Sequence, residues 1–191
     1  SLADQESELN ALLKKQSDAI RAQQQSFLQT WADAFCDRDG AAIDSLCMDG
    51  ARKKMMKEQL LVIDEGDTIF GWSSPWPMWD TSDENSKGYT ITTSYDGKNT
   101  AEILYYAWTS DPHVTVWKED ITFEERDGSY KVTDENIRFL DYIVSGTEFD
   151  EAYPQINGTP MDYTVNGMYD ALVMNSLLSS SMLYQLSLIH I

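Results

Sequence analysis

The stretch that decides the fold is Ala101-Glu-Ile-Leu-Tyr-Tyr-Ala-Trp-Thr-Ser-Asp-Pro-His-Val-Thr-Val-Trp-Lys118. Two runs of aromatic and β-branched residues, which are typical of strands, flank Ser110-Asp-Pro-His113, where aspartate and proline favour a turn. With these four residues as the loop, Tyr106 pairs with Trp117. Both faces of this hairpin are then apolar near its tip. The sequence therefore predicts a helix on one face and a loop, a tail or a second subunit on the other.

The neighbouring segments extend this hairpin into a sheet. Alternating apolar residues and short turns predict an antiparallel meander of four strands, at Tyr89–Tyr95, Ala101–Thr109, Val114–Glu125 and Tyr130–Ile137, the last reaching as far as Leu140. Continuing the register places one apolar set towards the helices: Leu104, Tyr106, Trp108, Trp117, Ile121, Phe123, Tyr130 and Val132. The opposite face carries a polar set: Lys118, Asp120, Thr122, Glu124, Lys131 and Thr133.

Three helices are predicted before any strand. Residues 5–38 show apolar positions at three- and four-residue intervals, including Phe27 and Trp31, and Gly40 is a plausible stop. Residues 41–48 and 51–60 predict two shorter helices, the second with Met55, Met56, Leu60 and Leu61 directed inward. Helices followed by a meander predict an α+β fold in which the helices pack on a curved four-stranded sheet.

The chain divides into three parts by composition. Residues 1–19 are polar at helical spacing and predict an exposed helical stalk, whereas residues 20–143 hold the predicted α+β domain. Residues 144–191 predict a C-terminal appendage that contains a helix and a frayed end. At 191 residues the chain is long enough for one domain with a real core and an appendage.

Residues 69–79 form the least regular segment. Pro75 and Pro77 oppose both a helix and a central strand, while three tryptophans there need burial, so we expect an ordered loop over the core. Its tryptophans are interpreted either as structural plugs or as a ligand-stacking platform. Under the second interpretation, the loop and the sheet supply the predicted ligand-binding residues: Trp31, Trp72, Trp76, Trp79, Tyr106, Trp108 and Trp117.

Charge and cysteine content narrow the classes of function. The formal charge of −18 disfavours nucleic acid or an anionic membrane as a partner, because either would add repulsion. No apolar run is long enough for a membrane span, and no signal peptide is recognisable. Cys36 and Cys47 are predicted to be buried free thiols, with a single bridge between helices as the alternative.

The familiar catalytic motifs are missing from the sequence. It contains no P-loop, no dinucleotide-binding glycine motif, no H-E-x-x-H and no G-x-S-x-G. His113 is interpreted as a turn residue, and the acidic residues around Gly66 as solvated loop charges, so we predict no metal site and no cofactor. The one candidate for acid/base chemistry is Asp120, close to Tyr105 and Lys118.

The order of elements over residues 20–143 resembles the cone-shaped fold of the nuclear-transport-factor-2-like and ketosteroid-isomerase-like superfamily. Three stretches resemble the extracytoplasmic C-terminal domain of bacterial BlaR-like membrane metallopeptidases of gut Clostridia: Phe27-Leu-Gln-Thr-Trp-Ala-Asp-Ala-Phe-Cys-Asp-Arg-Asp-Gly40, Phe70-Gly-Trp-Ser-Ser-Pro-Trp-Pro77 and residues 101–117. The resemblance implies a zinc protease and membrane helices upstream in a longer parent. It also implies a sensor or accessory role outside the membrane, with residues 1–19 as the tether.

Three functions follow as hypotheses. The leading one is a non-catalytic extracytoplasmic module that binds a small ligand or a protein partner, and that meets the membrane only through a missing upstream segment. The first alternative is a small-molecule isomerase or dehydratase that uses a Tyr/Asp pair. The second is a dimerising structural domain whose apolar sheet face is buried against its twin.

Overall fold

A computed structural model of the chain describes residues 2–73, 76–77, 88–93, 99–108 and 114–143, with the backbone alone at Trp108. In this part of the chain, three helices come first: α1 at Leu2–Cys36, α2 at Gly40–Leu46 and α3 at Asp49–Lys57. Six strands follow within the same described ranges: β1 at Leu61–Asp64, β2 at Asp67–Phe70, β3 at Tyr89–Thr93, β4 at Thr100–Trp108, β5 at Val114–Arg126 and β6 at Ser129–Ile143. The last four form one antiparallel sheet in the order β3-β4-β5-β6. The predicted α+β class with a four-stranded meander is confirmed.

The first hairpin, β1–β2, was not predicted from the sequence. Its two strands pair antiparallel around Glu65 and Gly66, which have φ values of 46° and 96°. Two consecutive positive φ angles suit the two-residue hairpin turn whose twist matches that of its strands, and glycine adopts such angles without strain. The acidic residues interpreted as loop charges therefore belong to a hairpin and its turn.

The register of the central hairpin, β4–β5, differs from the prediction by one residue. Trp108 pairs with Val114, Tyr106 with Val116 and Tyr105 with Trp117. Five residues, rather than the four predicted, lie between the paired ends of the strands. Because side chains alternate between faces, a one-residue change of register moves every side chain of one strand to the other face.

This shift reverses β4 relative to the helices. Ile103 and Tyr105 join the core beneath the helices, whereas Leu104 and Tyr106 belong to a second buried cluster, which they form with Val114, Val116 and Ile143. The predicted placement of Leu104 and Tyr106 on the helix side is therefore wrong. The other predicted core positions on β5 and β6 are confirmed: Trp117, Ile121, Phe123, Tyr130 and Val132.

Helix α1 is continuous, and its burial changes along its length. Leu9 and Leu12 in its first half are 43% and 58% exposed, and the first buried residue is Ser17. In its second half, Phe27 lies 5.4 Å from Phe123 between ring centroids, so this half packs on the sheet as predicted. Burial in α1 thus begins at Ser17, and the predicted start of the domain at residue 20 stays a prediction.

The ends of the helices differ from the prediction in detail. Gly40 does not end α1; it begins α2, with the side chain of Asp39 accepting a hydrogen bond from the backbone N–H of Ala42. A Cβ at Gly40 would lie 2.4 Å from the carbonyl oxygen of Thr68, so glycine allows α2 to approach β2 closely. On α3 the prediction that Met56 points inward is wrong, since it is 41% exposed.

Several sequence-based predictions fall outside the described residues. They concern Trp79, the side chain of Trp108, the turn at His113 and the appendage at 144–191. Within the described residues, no helix combines the length and apolar character that a membrane span needs. Cys36 and Cys47 are both buried, and neither forms a disulfide, as predicted.

Candidate functional site

A hydrogen-bonded cluster of three buried side chains lies between α1 and the sheet. Trp31 of α1, Tyr105 of β4 and Glu119 of β5 have no exposed surface. The Tyr105 hydroxyl donates to Oε2 of Glu119 at 2.6 Å, and the Trp31 indole Nε1 donates to the same carboxyl group, at 3.1 Å from Oε2 and 3.3 Å from Oε1. The two donors of Glu119 are therefore neutral side chains.

The protonation of Glu119 reflects two opposing effects. Burial raises the pKa of this carboxyl group, and the hydrogen bonds from Tyr105 and Trp31 lower it, so that it reaches about 7. Burial also raises the pKa of the Tyr105 hydroxyl well above its ordinary value, and the nearby Glu119 adds to this effect. Glu119 can therefore gain or lose a proton near neutral pH, whereas Tyr105 stays protonated.

A second buried carboxyl group, that of Glu135 on β6, has no exposed surface. Neither of its oxygens has a hydrogen-bond partner in the part of the chain that the structure describes. Burial raises the pKa of Glu135 to about 8, with a further contribution from the charge of Glu119. Buried polar groups are almost always paired, so this carboxyl group requires an explanation.

The two carboxyl groups occupy neighbouring positions on one face of the sheet. Glu119 pairs with Ile137, and Glu135 pairs with Ile121, so the two acids are diagonal neighbours on adjacent strands. Both Ile121 and Ile137 contribute to the core beneath the helices. The acids therefore face the helices, where water is scarce and each raises the cost of ionising the other.

An aromatic strip leads from the carboxyl groups towards solvent. Phe139 pairs with Trp117 at the next position along the same face, beyond Ile137 and Glu119. Trp117 is half-buried against the core, and Phe139 is 60% exposed. The helix-facing side of β5 and β6 thus changes from buried acids to one half-buried and one exposed aromatic ring, over two steps of roughly 7 Å each along the strand.

Cys47 lies at the end of α2, close to this site. Its backbone forms an isolated bridge with Val132, and its thiol is within electrostatic range of both Glu119 and Glu135. Burial raises the pKa of the Cys47 thiol to about 12, although the charge of Arg52 opposes this rise. The thiol is therefore neutral and unreactive at physiological pH.

The sequence singled out the wrong acid. Asp120 lies on the outer face of β5, where its carboxylate is 2.6 Å from Nη1 of Arg138 and 3.9 Å from Nζ of Lys118. The neighbour of Tyr105 is instead Glu119. Asp120 lines a surface groove of about 220 Å³, whose other outward-facing residues are Thr100, Glu102, Thr122, Asp134 and Asn136.

Trp76 has a structural role in the loop after β2. Its indole Nε1 donates to the carbonyl oxygens of Phe35 and Cys36, each at 3.2 Å, and so ties this loop to the C-terminal end of α1. Its ring stacks on Phe35 at 5.1 Å, and Gly71 approaches the ring so closely that a Cβ there would lie 3.1 Å from it. This geometry favours the structural-plug interpretation of Trp76.

The remaining predicted ligand residues are separated by the structure. Trp72 is half-buried and contacts Trp76 edge-on, at 6.5 Å between centroids. Trp31 and Trp117 lie on the helix side, whereas Tyr106 lies on the opposite side. Tyr106 is buried within the single chain. Dimerisation and the binding role of these residues stay predictions.

Of the two buried acids that were not predicted, Glu119 could have been found from the sequence pattern. Trp117, Glu119, Ile121 and Phe123 alternate along β5, so the period that places the apolar members inward also places Glu119 inward. The pattern of β6 does not predict Glu135. The register shifts between Thr122 and Phe123, so the inward-facing positions of β6 change from even to odd residue numbers. Among the described residues, no group of three or more His, Cys, Asp or Glu side chains is arranged to hold a metal ion.

Comparison with known proteins adds little. The sequence matches no protein-family model, and no curated protein matches it. It is similar in structure to a crystal structure of an NTF-2-like protein of unknown function from Silicibacter pomeroyi DSS-3. The two chains share 12% sequence identity, the TM-score is 0.37, and the alignment covers 64% of this chain and 98% of the other. A likeness of this size carries no argument of its own, and the α+β architecture rests on the observed helices and strands.

Proposed function

We propose that this chain is a non-catalytic module that binds a small ligand between its helices and the helix-facing side of its sheet. The observation that carries the proposal is the unpaired, fully buried carboxyl group of Glu135 at the inner end of the aromatic strip formed by Trp117 and Phe139. Apolar contact with exposed rings supplies affinity, and a few buried polar groups fix orientation, as is typical of small-molecule sites.

Glu119 contributes to this site through its fixed position. Trp31 and Tyr105 hold its carboxyl group from two sides, so hydrogen bonds fix the position of this buried acid. Trp31 and Trp117, which were predicted as ligand-binding residues, lie on this side of the sheet. The site is therefore built on a helix and strands, which hold side chains more rigidly than loops do.

We infer further that the module is extracytoplasmic and belongs to a membrane-bound BlaR-like signalling peptidase, as its sensor or accessory domain. The support is the resemblance of residues 27–40, 70–77 and 101–117 to that group. The exposed first half of α1 suits a tether between a membrane and the domain. Surface labelling of cells that produce the full-length parent tests this location: labelling only after lysis contradicts it.

The neutral fluorophore N-phenyl-1-naphthylamine tests the binding site, because its emission rises when it leaves water. We expect saturable enhancement with the natural chain and a loss of about tenfold in affinity for Phe139→Ala, which removes an exposed ring. Ile69→Ala is the matched control, since Ile69 is 58% exposed on β2. No saturable enhancement, or equal affinity for both variants, would contradict the proposed site.

A second candidate function is general-base catalysis by Glu119 with Tyr105 as its partner, in an isomerase or dehydratase. The observation that favours it is the hydrogen bond of 2.6 Å between the Tyr105 hydroxyl and a carboxyl group whose pKa burial raises to about 7. A base works best when its pKa lies near the working pH, and this carboxyl group meets that condition.

The elimination of 5-nitrobenzisoxazole tests this candidate, because a carboxylate base alone starts the reaction by removing one proton. Catalysis requires an acceleration of about a hundredfold or more over acetate, and its loss in Glu119→Gln. Asp120→Asn is the matched control, since it alters the neighbouring acid on the outer face. A rate equal to that of acetate, or one unchanged in Glu119→Gln, would exclude Glu119 as a base.

A further inference from the structure

The charges that surround Glu135 are mostly negative. Glu119 on β5, Glu58 after α3 and the adjacent Asp134 all raise the pKa of its carboxyl group, whereas Lys54 of α3 lowers it. The Cys47 thiol at the end of α2 is also within electrostatic range of Glu135 and is neutral. Of these described groups, Lys54 alone is a cation. An anionic ligand would therefore meet repulsion here.

The one nearby cation does not neutralise the Glu135 carboxyl group. The ammonium of Lys54 donates to Oδ1 of Asp134 at 3.0 Å and to the backbone carbonyl of Glu135. The Lys54 side chain is 32% exposed and that of Asp134 is 65% exposed, so this ion pair is in contact with solvent. The buried carboxyl oxygens thus have neither a hydrogen-bond donor nor a paired cation in the described part of the chain.

Along one face of β6, a polar residue is followed by apolar residues. Glu135, Ile137 and Phe139 follow one another on the same face, and their exposure rises from none at Glu135 to 60% at Phe139. Each step along this face is roughly 7 Å, so Phe139 lies two steps, or about 14 Å, beyond Glu135 along the strand. A ligand that spans this strip needs an apolar body and a polar head.

We propose that the polar head is a protonated amine and that the Glu135 carboxylate is its counter-ion, with the apolar body lying against Trp117 and Phe139. This inference rests on the proposed binding function and names the chemical class of its ligand. An ammonium group offers three donors to a carboxyl group that has none, and aromatic rings also attract cations. A neutral or anionic head would leave the Glu135 charge without a partner.

Three small probes of one shape test this proposal by calorimetry: 2-phenylethylamine, 2-phenylethanol and phenylacetate. We expect the amine to bind about tenfold more tightly than the alcohol at about pH 9, and phenylacetate to bind weakest. At about pH 6 the difference between amine and alcohol should disappear, because the raised pKa of Glu135, about 8, leaves it protonated there. Glu135→Gln should remove the preference for the amine, while Glu125→Gln, at an exposed position, should keep it.

The outcomes separate this inference from the proposed function. If amine and alcohol bind equally at about pH 9 and both weaken in Phe139→Ala, the site exists but the amine assignment is overturned. If the preference for the amine survives in Glu135→Gln, the counter-ion assignment is overturned. If none of the three probes binds and N-phenyl-1-naphthylamine shows no saturable binding, the amine inference and the proposed binding function are both overturned.

Discussion

Two adjacent acids of β5, Glu119 and Asp120, have opposite environments. Asp120 is half-exposed on the outer face and forms an ion pair with Arg138 at 2.6 Å. Glu119 is fully buried on the helix side, where its hydrogen-bond donors are the neutral Trp31 and Tyr105. The strand places them on different faces because its side chains alternate.

This comparison shows that a carboxyl group has a different environment on the helix-facing side of the sheet from the one it has on the outer side. On the outer side, water and nearby cations stabilise the charge, so each ion pair contributes little to folding. On the helix side, neutral donors and burial decide whether the acid is charged at all, so folding and protonation are linked. Four substitutions test this contrast, from the largest expected effect to the smallest.

Trp31→Ala should have the largest effect. Trp31 has no exposed surface, and its loss leaves a cavity as well as a buried carboxyl group with one donor fewer. We expect the free energy of unfolding to fall by about 3–5 kcal/mol. Urea denaturation followed by circular dichroism measures it, and a loss below about 1 kcal/mol would contradict the described packing.

Glu135→Gln should change how stability depends on pH. Because the pKa of this acid rises from 4.5 to about 8 on folding, the folded state binds a proton that the unfolded chain releases between these values. The free energy of unfolding therefore falls as the pH rises through this window and levels off above it. Removing the acid should stabilise the protein above about pH 8 by about 2–4 kcal/mol and change little near pH 5.

Urea denaturation at a series of pH values checks this prediction. Glu125→Gln is the matched control, because it removes an exposed acid from the same sheet and should leave the pH profile unchanged. A Glu135→Gln profile that still falls with rising pH, as steeply as that of the natural chain, would show that Glu135 does not carry the linkage. Glu119, whose pKa is raised to about 7, then becomes the group to substitute.

Tyr105→Phe should have a smaller, pH-dependent effect. It removes the shorter of the hydrogen bonds to Glu119 and keeps the ring, which stacks on Phe35 at 4.2 Å. We expect a loss of about 1–3 kcal/mol above pH 7, where Glu119 is charged, and a smaller loss near pH 5. Equal losses at both pH values would indicate that the hydroxyl does not stabilise the carboxylate.

Arg138→Ala should have the smallest effect. It breaks the ion pair with Asp120 on the outer face, where both side chains are nearly half exposed. We expect a change below about 1 kcal/mol, which added salt reduces further because water and ions screen exposed charges. A loss as large as that of Tyr105→Phe would remove the contrast between the two sides of the sheet.

The sequence predicted much of the fold and part of the site. The periodicity of β5 correctly placed Trp117, Ile121 and Phe123 beneath the helices, and the helical spacing of Phe27 and Trp31 correctly faced them towards the sheet. Such patterns are reliable because side chains repeat at a fixed interval in a helix and alternate between faces in a strand. The β1–β2 hairpin was missed because its short strands leave Val62, Ile63 and Ile69 at least 40% exposed, without a clear apolar face.

The site was harder to predict because it depends on the register in which neighbouring strands pair. Tyr105 was named as the partner of an acid, but the acid proved to be Glu119 rather than Asp120. The alternation along β5 was sufficient to place Glu119 inward, whereas the length of the β4–β5 connection decided which residues of β4 it meets. Local sequence patterns do not determine that length.

By itself, the sequence determined the helices, the four-stranded meander and the inward position of the β5 residues, since periodicity is a local property of the chain. Only the tertiary structure decided that Tyr105 meets Glu119 and that Glu135 lies buried beside them. The physical reason is that a one-residue change of register, or one irregularity in β6, costs little locally but exchanges the two faces of a strand.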